Sequence, residues 1–585
     1  MNSLDHSKNP DGALDDGSET LDALLRPLDG LSHVKGETVR PLIERTIPEL
    51  LAETVRRFAD RDALIAIGQN IRLNWREFSE EVDALARGLA LLGLKKGDRL
   101  GIWSPNRAEW VLTQFATARI GIILVNINPA YRLSELDYAL NKVGCAALVT
   151  AASFKTSNYL EMLEKLAPEL RDCEPGKLRS ERLPHLKTVI RMGPETTPGM
   201  LNFDAVLERG RSDGSVHLDR ITKTLDRNDA INIQFTSGTT GAPKGATLTH
   251  RNLVNNGDNV TARMLFTEKD RLCIPVPLYH CFGMSMGTLG CVTKGAAMVF
   301  PGEGFEPSAT LKAIESERCT SVYGVPTMFV AMLNAPDFAD YDLTSLRTGI
   351  MAGAPCPTEV MKRVIERMHM AQVTIAYGMT ETSPVSFQSH TNDPLDKRVS
   401  TVGRIHPHVE IKIVEPGGET VPVGETGELC TRGYCVMQGY WDDPENTAAA
   451  ITGDGWMQTG DLATIDEDGY AAIVGRVKDM VIRGGENIYP REVEEFLYRH
   501  PAIADVQVFG IPDEKYGEEL CAWIIVREGQ SLTPEEVVAF CTDQISHFKV
   551  PRIIRFRESL PMTVTGKPQK FLMREAMVEE LGLGQ

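Results

Sequence analysis

Between Ile231 and Gly245 the chain reads INIQFTSGTTGAPKG, and this stretch restricts the fold more than any other. Ile231, Ile233 and Phe235 alternate with Asn232 and Gln234, the period-two pattern of a strand with one apolar face. Glycines 238, 241 and 245 follow, and they admit positive φ and close backbone approach, so successive N–H groups can converge on one anion. Thr236, Ser237, Thr239 and Thr240 add hydroxyl donors, and Lys244 adds a point charge. A strand that ends in such a loop suits a polyphosphate, although loops of this composition also occur as plain connections. A Walker P-loop is disfavoured by residue order. Pro243 precedes Lys244 and Gly245 follows it, where that loop needs Gly-Lys-[Ser/Thr] opening a helix.

On both sides of this stretch, helical patterns alternate with short apolar runs. Val82, Leu85, Leu89 and Leu92 share a helix face, the Lys95–Asp98 turn ends that helix, and Arg99 to Trp103 reads as a strand. The alternation recurs: Ser308 is positioned to cap a helix through Glu315, Ser321 to Tyr323 is strand-like, Pro326 starts a helix, and Leu346 to Met351 returns to strand. Strand and helix in turn predict an α/β fold, a large N-terminal domain whose parallel-rich sheets are covered by helices. After about Gly475 the texture changes to a small α+β segment with strands at Ala504 to Val508 and Cys521 to Val526 and a helix from Thr533 to Cys541. The expected division is a mobile, acidic N-terminal tail (1–37), a large domain (38–477) and a small mobile C-terminal domain (478–585) on a short linker.

Composition narrows the function classes. The chain has 585 residues and a formal charge of −18, which argues against a general nucleic-acid binder. No apolar run approaches the roughly 20 residues that span a bilayer, so no integral membrane segment is expected. The 11 cysteines are scattered without a C-x-x-C pair, as in reduced thiols rather than a disulfide framework or zinc site. The N-terminal stretch has neither an Arg-rich, acid-poor composition nor an apolar centre, so cytoplasm is the expected compartment. A homodimer is compatible with all of this and required by none of it.

The glycine-rich loop resembles the signature of the acyl-adenylate-forming enzymes, a group that includes acyl-CoA synthetases, peptide-synthetase adenylation domains and firefly-type luciferases. Further motifs follow in the family's order: Pro277-Leu-Tyr-His-Cys-Phe-Gly283, Gly349-Ile-Met-Ala-Gly-Ala-Pro355, Tyr377-Gly-Met-Thr-Glu-Thr382, Asp454-Gly-Trp-Met-Gln-Thr-Gly-Asp461, Gly475-Arg-Val-Lys-Asp479 and Thr565-Gly-Lys567. The resemblance covers roughly residues 40 to 575. It implies a first half-reaction in which a carboxylate attacks ATP to give acyl-AMP and pyrophosphate.

By that resemblance Thr236, Ser237, Gly238, Thr239, Thr240, Gly241 and Lys244 would grip the β and γ phosphates. Glu381 is similar in position to the family's magnesium-contacting glutamate, a hard oxygen ligand suited to Mg2+. Thr380 would bond the α-phosphate. Tyr377, followed by Gly378 and Met379, would stack on adenine, with Gly353, Ala354 and Pro355 as the opposite wall. Asp461 would accept from the ribose hydroxyls, although an Asp there could instead cap a helix. Arg476 would contact ribose or phosphate, and Lys567 would bridge the substrate carboxylate and the α-phosphate as the catalytic cation. The small domain would then rotate about Lys478 to present coenzyme A.

Gly484-Gly-Glu-Asn-Ile-Tyr-Pro490 and Ser546-His-Phe-Lys-Val-Pro-Arg552 look like acyl-CoA ligases, which places Gly484, Gly485, Phe548 and Lys549 toward coenzyme A. His280 would sit by the carboxylate and acyl pocket, with a satisfied core histidine as the competing reading. Met284, Met286, Val325 and Met351 suggest an apolar, deformable lining suited to an aliphatic chain. The segment Gly433 to Trp441 adds a likeness to the medium-chain branch. The expected reaction joins a fatty acid to coenzyme A, with ATP and CoA as co-substrates and Mg2+ as cofactor. The alternatives are an aryl, short-chain or sulfur-containing acid, a luciferase-like oxygenase, and a non-catalytic nucleotide-binding homologue.

Overall fold

The computed structural model describes residues 25–236, 243–354, 356–483, 486–542, 544–563 and 568–583. Two large sheets carry the N-terminal part. The eight-stranded sheet runs Leu201–Asn202, Thr188–Arg191, Ala147–Thr150, Arg99–Trp103, Ile123–Asn126, Ala230–Thr236, Lys244–Thr249, Gly439–Tyr440. Its first six strands are parallel, and the hairpin that holds the glycine-rich loop adds antiparallel strands at one edge. The nine-stranded sheet has a parallel centre, Gln372–Gly378, Thr348–Ala352, Ser321–Gly324, Arg271–Cys273, Ala297–Phe300 and Asp62–Ala66, with antiparallel strands at each edge.

Helices fill the space between the sheets. Ala108–Ile120 is buried on all sides, leaving only Glu109 and Arg119 less than fully covered, as expected of a helix between two apolar layers. His250–Arg263 is also buried although its sequence is rich in asparagine. Each amide has a partner: Asn252 donates to the Val436 carbonyl, Asn255 to Ile43, Asn256 to Val385, and Asn259 to the Tyr434 hydroxyl. A polar helix can be buried at that cost because the bonds replace those lost from water.

A third sheet, His33–Lys35, Val409–Val414, Gly427–Gly433, Met457–Ile465 and Ala471–Arg476, is antiparallel throughout. The small C-terminal unit has its own five-stranded sheet, built on the long hairpin Ile503–Asp513 and Gly517–Val526, and its own apolar clusters. The chain is thus a mixed α/β protein with parallel-rich sheets and a C-terminal α+β domain.

Several expectations need correction. The tail does not extend to residue 37. Leu25, Ser32 and Val34 are buried, and His33–Lys35 pairs with Glu410–Lys412, because the edge of the third sheet offers unpaired backbone groups to an extended segment. Helix Pro307–Ser316 is capped by Glu306 rather than Ser308: the Glu306 carboxylate accepts from the N–H groups of Ser308 and Ala309. The strand read from Leu346 spans Thr348–Ala352. Asn232 and Gln234 do not face solvent. Both are buried, since the strand lies inside a sheet covered on both faces. Met351 lies with Phe329, Met361 and Met370 on the outer face of its sheet, away from Met284, Met286 and Val325, because alternate residues of a strand point to opposite faces.

Candidate active site

Three strand ends converge at the carboxyl edges of the two large sheets, where open α/β folds bind ligands. Ala230–Thr236 runs into the glycine-rich loop, Thr348–Ala352 into Gly353, and Gln372–Gly378 into the Thr380–Thr382 turn. Two glycines are required by geometry here. Gly353 has φ +89°, and a Cβ on Gly378 would lie 1.8 Å from the Pro384 carbonyl oxygen.

The Thr380–Thr382 turn is fastened from several sides. The Met379 N–H and the Thr382 hydroxyl both donate to the Pro384 carbonyl, at 3.0 and 2.6 Å. Ser383 donates to the Cys435 carbonyl, and Ser285 donates to the Ser383 carbonyl. This turn holds Glu381 in a buried position, where its Oε1 accepts from the Tyr440 hydroxyl at 3.0 Å. Burial first, then the charge of Glu381, raises the Tyr440 phenol well above the usual tyrosine range, so it remains a donor. The Lys244 ammonium lies over the Tyr440 ring, 5.1 Å from its centroid. Lys244 pairs across the hairpin with Thr236, so the two described ends of the glycine-rich loop sit beside Glu381's partner.

A second cluster lies on the same chain segment. The Tyr377 hydroxyl donates to Asp461 Oδ2 at 2.5 Å, and Arg476 Nε meets Asp461 Oδ1 at 3.1 Å. Asp461 and Arg476 are cross-strand neighbours in the third sheet, which rules out the helix-cap alternative for Asp461. Burial, then Asp461, holds the Tyr377 phenol far above its ordinary value. The buried carboxylate therefore faces a permanent donor and a permanent cation, and it remains an acceptor for hydroxyl groups.

His280 closes the remaining side. Its Nδ1 accepts from the Phe282 N–H at 3.2 Å, which places the proton of a neutral imidazole on Nε2. Phe282 stacks on Tyr323 with ring centroids 5.5 Å apart, and Met284 and Met286 are buried in the same cluster as Met328. Gly353, Ala354, Tyr377, Gly378, Met379, Thr380, Glu381, Asp461 and Arg476 are thus brought to one rim. Lys478 is exposed in the turn after Ala471–Arg476.

Of the coenzyme A candidates, Phe548 and Lys549 lie in the C-terminal domain. Lys549 Nζ pairs with Glu492 at 2.6 Å, and Phe548 packs against the apolar core of the C-terminal domain. Both side chains serve their own domain in this arrangement. Ser237, Gly238, Thr239, Thr240, Gly241, Pro355, Gly484, Gly485 and Lys567 lie outside the described residues. Tyr440 was not singled out in the sequence. Its only signal was membership of the Gly433–Trp441 segment, and nothing local marks a tyrosine as the partner of a glutamate 59 residues away.

Among the described residues no group of three or more His, Cys, Asp or Glu side chains could hold a metal, and no helix is long and apolar enough to cross a membrane. A single buried carboxylate such as Glu381 suits an ion that takes most of its ligands from phosphate and water.

The family model for an AMP-binding enzyme matches residues 51–441, and that for the AMP-binding enzyme C-terminal domain matches residues 492–567. The putative acyl-CoA synthetase YngI of Bacillus subtilis is 50% identical over 543 residues, covering 93% of this chain and 99% of that protein. The mitochondrial medium-chain acyl-CoA ligase ACSF2 of Rattus norvegicus is 48% identical over 563 residues, covering 95% and 91%. Among solved structures, the anthranilate CoA ligase AuaEII in complex with anthranoyl-AMP superposes with a TM-score of 0.82 at 26% identity, covering 93% of this chain and 99% of that one. ATP-bound MatB from Rhodopseudomonas palustris gives 0.78 at 27%, covering 92% and 100%.

Proposed function

The chain belongs to the AMP-binding enzyme family, and on that premise we propose that it is an AMP-forming acyl-CoA ligase for medium-chain fatty acids. A fatty acid and ATP give enzyme-bound acyl-AMP and pyrophosphate; the thiol of coenzyme A then displaces AMP to give the thioester. The observation that carries this reading is the pair of clusters on one rim. Asp461, held by Tyr377 and Arg476, offers acceptors for ribose hydroxyls, and Glu381 with Lys244 stands at the described ends of the glycine-rich loop.

In this reading the loop holds the β and γ phosphates, Thr380 bonds the α-phosphate, and Gly353 and Ala354 bound the adenine pocket with Tyr377. Glu381 would hold Mg2+, which supplies neutralisation of charge on the leaving pyrophosphate. His280, with its proton on Nε2, donates to the substrate carboxylate. The apolar surface around Phe282, Met284, Met286 and Val325 receives the chain. Lys567 offsets repulsion between carboxylate and α-phosphate in the first half-reaction, and the C-terminal domain then turns about Lys478 to admit the thiol.

A panel of carboxylic acids from two to eighteen carbons, with aryl acids included and AMP release as readout, tests the substrate class; about tenfold preference per few methylenes is within reach of an apolar pocket. A kcat/KM maximum at medium-chain acids is expected. A maximum at aryl or short-chain acids, or no carboxylate-dependent AMP, would overturn the reading.

A further inference from the structure

The buried polar positions Asn232 and Gln234 belong to a chain of hydrogen bonds that the reaction described above does not explain. Asn126 Nδ2 donates to the Tyr279 carbonyl at 3.0 Å. Asn232 Nδ2 donates to Asn126 Oδ1 at 2.9 Å and to the Leu124 carbonyl at 3.0 Å. Gln234 Nε2 donates to Asn232 Oδ1 at 2.9 Å, and the Cys281 thiol donates to Gln234 Oε1 at 3.2 Å. All four side chains are at most 3% exposed.

Two features set this chain apart from ordinary core satisfaction. First, it has one direction. Each amide oxygen accepts from the next rung, so the orientation of each amide is fixed by its neighbours and none can flip without breaking two bonds. Second, both ends land on one turn, on Tyr279 and on Cys281, the residues on either side of His280. The middle rungs stand on Ala230–Thr236, the strand that runs directly into the glycine-rich loop. Burial favours the neutral thiol of Cys281, which keeps it a donor.

We propose that Asn126, Asn232, Gln234 and Cys281 form a positioning ladder that fixes His280 relative to the phosphate-binding strand, with Gln234 as its central rung. The proposal rests on the reading that His280 meets the substrate carboxylate and that the loop holds ATP phosphates. The ladder makes the carboxylate donor and the phosphate cradle one rigid body. Gln234 and Cys281 are positioning residues that act through His280. A displacement near 1 Å between reacting groups costs on the order of a hundredfold in rate, so the arrangement bears on turnover more than on affinity.

The test uses the full-length enzyme with Gln234→Leu, Cys281→Ala, Cys281→Ser and His280→Ala, alone and combined. Gln234→Leu is expected to lower kcat for acyl-AMP formation roughly ten- to hundredfold with KM for ATP within about twofold. Cys281→Ala should fall in the same direction, and Cys281→Ser, which retains a donor, should recover most of it. In the His280→Ala background Gln234→Leu should have no further effect on kcat. A purely structural role would lower the melting temperature and leave kcat per folded molecule unchanged, and that result overturns the proposal, as does an additive loss in the His280→Ala background.

Nitrogen-15 shifts of the His280 imidazole supply a readout that needs no turnover. They should move between wild type and Gln234→Leu, and in the Cys281→Ala and Cys281→Ser pair should that variant not fold. Unchanged shifts would overturn the ladder even if the catalytic reading failed, and wild-type enzyme lacking carboxylate-dependent pyrophosphate release would count against the catalytic reading alone.

Discussion

At the scale of single residues the site works by giving each anion a fixed counterpart. Asp461 has one oxygen on Tyr377 and the other on Arg476, so Tyr377→Phe removes a hydrogen bond to a charged acceptor, worth about 1.5–3 kcal/mol. The expected result is a roughly tenfold rise in KM for ATP with a smaller change in kcat, read by steady-state kinetics. Glu381→Gln keeps the size of the side chain and removes its charge. It should lower kcat at least about a hundredfold at saturating magnesium, and Tyr440→Phe should lose less, since that change spares the carboxylate. Two buried histidines contribute to loss of stability in acid. Burial lowers His250 to about 3 and puts His406, which faces Gln388, well below its ordinary value. Both remain neutral when folded and take up a proton on unfolding at pH below about 6.5. Their contribution is present above that pH and declines as the pH falls toward the folded values, by up to about 1.4 kcal/mol per pH unit for each site. Melting temperature measured between pH 7.5 and 4.5 should fall on the acid side, with a shallower slope in a folded His250→Gln variant; equal slopes would count against this assignment.

At the scale of elements, the turn after Gln372–Gly378 depends on the absence of a side chain at Gly378. Gly378→Ala sets a methyl against the Pro384 carbonyl, and because that neighbour is backbone the strain of about 1–3 kcal/mol or more cannot be relieved by a rotamer change. Calorimetry should show a lower melting temperature together with loss of adenylation. The same turn shows what the sequence discloses. The strand Gln372–Gly378 and the strand Ala230–Thr236 were legible, because apolar alternation that ends in glycine is a local signal. Tyr440 and the Gln234 ladder were not. Their partners are distant in the chain, and a polar residue at alternate positions reads the same whether it faces water or a buried amide. Ser308 carries the usual capping signal, but the helix starts at Pro307, and the Glu306 carboxylate before the proline accepts from the Ser308 and Ala309 N–H groups.

At the scale of the whole molecule, the alternation of strands and helices disclosed the two parallel-rich sheets, and the change of texture near Gly475 disclosed the C-terminal α+β unit. The third, antiparallel sheet was hidden because its strands come from both ends of the large domain's sequence. Its first strand, His33–Lys35, pairs His33 with Lys412, Val34 with Ile411 and Lys35 with Glu410, partners so far along the chain that no local pattern encodes them. Deleting residues through Lys35 should expose that sheet edge and lower the melting temperature by several degrees, about 1–3 kcal/mol for the buried Val34 and its backbone bonds. The proposed mechanism divides labour between the two domains, with Lys567 of the C-terminal domain needed for the first half-reaction only. It is tested most directly by fatty-acid-dependent ATP–pyrophosphate exchange without coenzyme A, alongside thioester formation from supplied acyl-AMP, in wild type and Lys567→Ala. In Lys567→Ala, exchange is expected to fall at least about a hundredfold while thioester formation stays within a fewfold of wild type. Equal loss of both half-reactions, or exchange left intact, would contradict it.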